Sequence, residues 1–251
     1  MVTLRALGAE AAARAALPFA VLFPGTIWIG VSADGLFAGV AAWGVALVAV
    51  GTARRRLDLT AVSVAGGLLL GASLLLSYGL VLAGLVPVAV AVTARRLPPL
   101  LVAGAGVAAV VAAFAAAGFW WLRGYHQLVI RYYQPGEYGL VRPYSYWVWR
   151  ADLAALAVVL GPAGIAGLRR VFTPRQRHPV GLVLLCAAAM LAVLIADLSG
   201  LSKAEVERIW LPFAIWLLPA TGLLPPRQAR WWLTTQAVLA LAVNHLLLTT
   251  W

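Results

Sequence analysis

Long uninterrupted apolar runs constrain this chain more than any other feature. Nine of them, at 15–30, 36–53, 61–77, 80–93, 97–118, 152–168, 180–198, 209–224 and 231–248, are separated by clusters of Arg, Pro and Gly. Neither a helical stripe nor a strand alternation organises them, so they read as segments with apolar surroundings on every side. A bilayer core about 30 Å thick takes roughly 20 apolar residues per helix, and within it every backbone polar group must be paired internally. The 63% hydrophobic content, the 11% of charged residues and the mean hydropathy of +0.94 exclude a soluble enzyme, whose apolar share is roughly half. They exclude a disordered tail as well. The expected fold is all-α: one polytopic transmembrane helix bundle over residues 1–251, with eight to nine helices. Its first run is the weakest, broken by Pro18 and Pro24 and loosened by Gly25 and Gly30.

The net charge of +11 would point to nucleic acid in a soluble protein, so its placement decides its meaning. If every run crosses, one set of connections carries Arg5, Arg14, Arg54, Arg55, Arg56, Arg95, Arg96, Arg169, Arg170, Arg175, Arg177, Arg227 and Arg230 against only Glu10 and Asp58. The other set balances Arg123, Arg131, Arg142, Arg150, Lys203 and Arg208 against Asp34, Glu137, Asp152, Asp197, Glu205 and Glu207. The whole net charge therefore falls on one side. Cytoplasmic loops hold Lys and Arg, so that side is expected inside a bacterial plasma (inner) membrane, with the N-terminus cytoplasmic and Trp251 extracytoplasmic. The charge sets topology, the lipid bilayer is the expected partner, and no nucleic-acid partner is expected. A secretory signal peptide is not expected either, because Pro18 interrupts the first apolar stretch and no small-residue cleavage site follows it. The lone Cys186 excludes a disulfide framework, and His126, His178 and His245 share no ligand spacing, so no metal site is read.

The outer connections carry the chemistry. Residues 119–150 form an extracytoplasmic interfacial loop, FWWLRGYHQLVIRYYQPGEYGLVRPYSYWVWR, with eleven aromatic residues. Gln134-Pro135-Gly136-Glu137 is a turn signal that divides it into two amphipathic halves, and a helix lying on the membrane is expected there. One reading is an aromatic belt at the lipid headgroups. The other is a platform for a sugar or polyprenyl group, in which Tyr144 and Trp147 pack on apolar ring faces while Arg131 and Arg142 hold the polar rim. A second outer connection, 198–208, runs into the eighth run. There Ser202 and Glu205 have capping-box spacing, and Lys203 and Glu207, four apart, form either a surface pair or part of a site. Lys203 and Arg208 at the membrane boundary suit the phosphate of an anionic lipid. Asp34 is either a helix N-cap or a general base. Gly67-xxx-Gly71 and Gly35-xxx-Gly39 fit close helix packing, and Gly104-Ala105-Gly106 follows no strand, which excludes a dinucleotide site. No inverted pair of interrupted helices is found.

The stretch from Leu22-Phe23-Pro24 to Asp34, followed by a small-residue helix, resembles the repeated pattern of apolar residue, Pro, apolar residue and Ser/Arg-x-Asp in GT-C membrane glycosyltransferases of the polyprenyl-phosphate-dependent, protein-mannosyltransferase-like group. Lys203-Ala204-Glu205-Val206-Glu207-Arg208-Ile209-Trp210-Leu211-Pro212-Phe213 is similar to a late Gly/Ser-x-x-Glu-x-x-Arg-x-Trp pattern in uncharacterised actinobacterial membrane proteins related to that group. The resemblance spans most of the chain through short motifs. It implies sugar transfer from a polyprenyl-phosphate-linked donor to a cell-envelope acceptor on the extracytoplasmic face. It also implies an acidic catalytic residue in a long first outer loop, where this sequence has only a short basic leader. The expectation is an N-terminally truncated member that keeps the donor-lipid site, with Asp34 as the carboxylate to test as base. Lys203 and Arg208 are then the phosphate ligands, and Glu207, Arg131, Arg142, Tyr144 and Trp147 complete the substrate site. A lipid or solute transporter or flippase is the rival; it predicts ionisable residues deep within helices, and these are nearly absent. A non-catalytic membrane scaffold is the third reading.

Overall fold

The computed structural model describes residues 1–53, 59–173 and 178–246, and all of their regular structure is helical. In chain order the α-helices are α1 (Val2–Ala6), α2 (Glu10–Val21), α3 (Thr26–Ile29), α4 (Asp34–Ala53), α5 (Leu59–Leu76), α6 (Leu85–Ala94), α7 (Pro98–Ala116) and α8 (Trp121–Tyr132). They continue as α9 (Tyr138–Val141), α10 (Tyr144–Tyr146), α11 (Asp152–Val171), α12 (Val180–Leu198), α13 (Val206–Ile209), α14 (Leu211–Ala214) and α15 (Ala229–Leu246). A 3-10 segment, Tyr78–Gly84, leads into α6, a π turn, Trp147–Ala151, leads into α11, and a 3-10 segment, Leu218–Leu223, follows α14.

Among the described residues, four helices are both long and apolar enough to cross a membrane: Asp34–Ala53, Pro98–Ala116, Tyr144–Val171 and Val180–Leu198. That is fewer than the eight to nine expected. The first run divides at residues 22–25 into α2 and α3; Pro24 lies in the break, whereas α2 continues through Pro18. Thr60–Leu76, Tyr78–Ala94 and Leu211–Leu223 are apolar but shorter. The last of these is divided into α14 and a 3-10 turn, where Pro212 and Pro219 remove backbone donors. The 18-residue α15 dilutes its apolar face with Arg230, Thr234, Gln236 and Asn244.

Small residues set the packing of α4, α5 and α7. A Cβ on Gly67 would lie 2.0 Å from the carbonyl oxygen of Ala103, and one on Gly66 would lie 2.8 Å from that of Gly44, so backbones meet where side chains usually stand. Gly71 likewise faces Val110, whereas Gly39 has open space around it, so only the first of the two Gly-xxx-Gly pairs works as an interface throughout. Deeper in the molecule α6, α11, α12 and α14 enclose the largest buried side chains, among them Trp210, Leu160, Leu182, Leu185 and Leu211.

α11 is interrupted. Gly161 takes φ 69° and ψ 174°, a conformation open to glycine, and Pro162 lacks the amide that would continue the ladder. Gln236 of α15, fully buried, repairs the gap: its Nε2 donates to the Leu160 carbonyl at 3.1 Å and its Oε1 accepts from the Ala163 amide at 3.1 Å.

The helix ends fall into two groups. Arg96 donates to the Thr52 carbonyl, His178 pairs with the Arg170 carbonyl, and Gly181 abuts Leu7 and Thr93, so these ends lie together. Trp121 of α8 donates to the Leu74 carbonyl, Arg208 reaches Asp34, and Ala204 reaches Asp152, so those ends lie together as well. Arg54, Arg55, Arg56, Asp58, Arg175, Arg177 and Trp251, which also enter the charge argument, lie outside the described residues.

Candidate functional site

The second group of ends surrounds a polar cluster built from α4, α11, α12 and the 199–210 connection. Asp34 opens α4, where a carboxylate in the first turn is favoured by the exposed amides and the helix dipole. Its Oδ2 accepts from Arg208 Nη1 at 2.9 Å, although the two residues are 174 positions apart in the chain. Arg208 also donates through Nη2 to Glu205, so one guanidinium spans two carboxylates. Both partners are largely sheltered: the Asp34 side chain is 11% exposed and that of Arg208 is 29%.

The capping box does not form. α13 begins only at Val206, and Ala204 and Glu205 ahead of it have φ 70° and φ 60°, a left-handed pair uncommon outside glycine. Glu205 spends its carboxylate on Arg208, and Ser202 turns back to the Ala196 carbonyl. Lys203 does not pair with Glu207. It is buried, and its Nζ donates to the carbonyls of Gly139 at 2.6 Å and Arg142 at 2.9 Å, which draws the 139–142 segment over the connection. Burial, followed by the nearby Arg142 charge, pushes the Lys203 ammonium below its usual range.

The aromatic loop roofs this cluster. As expected, it contains an amphipathic helix, α8, and turns at Gly136, whose φ is 88°. The Tyr132 hydroxyl accepts from the Lys203 amide at 3.2 Å, and the Lys203 ammonium lies over the Tyr133 ring at 5.7 Å. Arg142 donates to the Lys203 carbonyl and lies over Trp147 at 5.3 Å. The Tyr144 hydroxyl donates to the Leu198 carbonyl at 2.7 Å, and its ring covers Gly200, where φ is 65° and an added Cβ would come within 2.8 Å. Asp34, Lys203, Arg208, Arg142, Tyr144 and Trp147 thus belong to one region of the molecule. Glu207 joins them, half-buried on α13, with its carboxyl pushed up first by burial and then by Glu205. Arg131 stays exposed on the last turn of α8.

Two carboxylates that sequence spacing could not place complete the cluster. Asp152 is 1% exposed; its Oδ1 accepts from the Ala204 amide at 3.1 Å, and its Oδ2 has no hydrogen-bond partner among the described residues. Asp197 is 3% exposed and its Oδ1 is likewise unpartnered among the described residues. The indole N–H groups of Trp28 and Trp210 share that condition. Buried polar atoms without partners are uncommon and costly, so their concentration around one connection marks it chemically. The only sequence signal for them was their position at the ends of apolar runs, which also fits ordinary helix ends. No group of three or more His, Cys, Asp or Glu suited to a metal ion occurs among the described residues. Comparison with family models, with curated proteins and with solved structures finds no match for this chain.

Proposed function

We propose that the chain is a multi-pass protein of the bacterial plasma membrane whose roofed polar cluster faces outward and binds a polyprenyl-phosphate-linked sugar, as a GT-C-like glycosyltransferase or the helical part of one. Eight or nine crossings, with the Arg-rich ends inside, complete this reading. The observation that carries it is the meeting of unpartnered buried carboxylate oxygens, on Asp152 and Asp197, with an aromatic and cationic roof. Sugar hydroxyls are donors suited to those oxygens, and aromatic faces pack on the apolar faces of sugar rings. Arg142 and Lys203 supply positive charge for the lipid phosphate.

In this mechanism Glu207 replaces Asp34 as the base. Asp34 is held by Arg208, whereas the half-buried Glu207 carboxyl is shifted upward, toward the range useful for proton abstraction. The acceptor hydroxyl gives its proton to Glu207 as its oxygen bonds to the anomeric carbon. The bond from that carbon to the phosphate oxygen breaks, and Arg142 and Lys203 balance the charge left on the lipid phosphate.

The test is thermal unfolding of the detergent-purified protein titrated with a short-chain polyprenyl phosphate and with its glycosylated form. The glycosylated lipid is expected to raise the midpoint more than the bare phosphate, and Glu207→Gln is expected to keep that rise while abolishing transfer. No rise with either lipid contradicts the proposal. A scaffold reading is favoured by one observation, the engagement of both Arg208 and Lys203 by groups of the chain itself. It predicts no response to either lipid.

A further inference from the structure

A groove of about 740 Å³ runs along the outside of α11 and α15. It runs from Ala157 and Val158, past the Gly161-Pro162 interruption, to Arg169, Arg170 and Thr173. Its arginine end is remote from the polar cluster, because Asp152 and Arg170 stand at opposite ends of α11, 18 positions apart. The walls are apolar, formed by Pro162, Ile165, Trp232 and Leu239, and Ile165 is 44% exposed in them. No acidic residue lines the groove, and none of the ion pairs among the described residues includes Arg169 or Arg170. The volume is within the range of small-ligand sites.

We propose that this groove binds an anionic diacyl phospholipid, its acyl chains against Pro162, Ile165 and Leu239 and its phosphate on Arg169 and Arg170. Charge complementarity selects this occupant: an apolar trough that closes on two guanidinium groups matches an amphiphile with a tail and a negatively charged head. A free phosphate would leave the apolar walls without a role, and an uncharged lipid would leave the arginines without one. Trp232 lies beside both parts, as indoles do at the boundary between hydrocarbon and headgroup. The site is separate from the outer cluster, so its failure would leave the sugar-lipid proposal untouched.

The experiment places the full chain in phosphatidylcholine vesicles containing equal fractions of either dibromo-phosphatidylglycerol or dibromo-phosphatidylcholine, and measures quenching of tryptophan fluorescence. The chain has eleven Trp, so the Trp232 component is taken as the difference between wild type and Trp232→Phe. The expected result is a preference for the brominated phosphatidylglycerol of about thirtyfold in apparent association, the scale for two arginines beside an anionic headgroup. Combined Arg169→Gln and Arg170→Gln changes abolish the preference, and added inorganic phosphate leaves it intact. Ile165→Trp, which fills the trough and keeps both charges, lowers quenching by both brominated lipids in the same difference against Trp232→Phe. Equal quenching by the two lipids in the wild type overturns the proposal. So does a preference that survives loss of the arginines, one that inorganic phosphate removes, or an unchanged signal in Ile165→Trp.

Discussion

Arg208 and Gln236 each hold together parts of the chain that are remote in sequence, and their substitution should have different signatures. Arg208→Ala leaves Asp34 and Glu205 facing each other without their common cation, and losing one partner of a sheltered ion pair costs about 3 kcal/mol. Adding Asp34→Asn to Arg208→Ala should recover part of that loss, which a double-mutant comparison of thermal unfolding in detergent would register. Gln236→Leu strands the Leu160 carbonyl and the Ala163 amide; the expected cost is about 1–3 kcal/mol by the same measurement. Glu207 adds a pH dependence. Its carboxyl is pushed up in the folded chain, so the folded state binds that proton more tightly than the unfolded state. Its stabilising contribution is therefore present below the ordinary glutamate range and is lost as pH rises through the raised value. Glu207→Gln should flatten the fall in stability as pH rises above the ordinary glutamate range and raise stability at the alkaline side of that fall. A slope unchanged in the variant would assign the dependence to another group.

Among the elements, helix contacts through small residues give a paired prediction. Gly67→Ala sets a methyl group against the Ala103 carbonyl and should force α5 and α7 apart, losing more than 1 kcal/mol. Gly104→Ala, on α7 with open space around it, should gain up to about 1 kcal/mol through helix propensity. Thermal midpoints of the two variants should move in opposite directions. The sequence displayed Gly67-xxx-Gly71, the amphipathic α8 and the Gly136 turn because each is specified by residues within a few positions of one another. The interruption of α11 was also written locally, in Gly161-Pro162, but the unbroken hydropathy of 152–168 concealed it. The run at 209–224 was misleading for the same reason: apolar content does not distinguish one long helix from several short turns. Failure of the Ser202 and Glu205 capping box has a non-local cause, since Arg208 and Asp34 compete for the arrangement that a local cap would need.

Over the whole molecule, the apolar runs identified an all-helical chain with helices able to cross a membrane, although among the described residues four rather than eight to nine are long and apolar enough. What lay beyond sequence spacing was the convergence of Asp34, Asp152, Asp197 and Lys203, because it depends on how helices remote in the chain are arranged. Sidedness is open to direct mapping. The native Cys186 is fully buried, so Cys186→Ala with single cysteines at Arg227 or Gly136 should label from opposite faces of sealed spheroplasts, Gly136→Cys from outside. Labelling of both from one face would contradict the alternation. Native mass spectrometry of the purified protein asks whether the proposed outer cluster holds a lipid-linked sugar. The expected spectrum shows a polyprenyl-phosphate sugar retained at one-to-one stoichiometry and lost in a combined Arg142→Gln and Asp152→Asn variant that still folds. Retention of ordinary phospholipids alone, with the same spectrum in that variant, would contradict it.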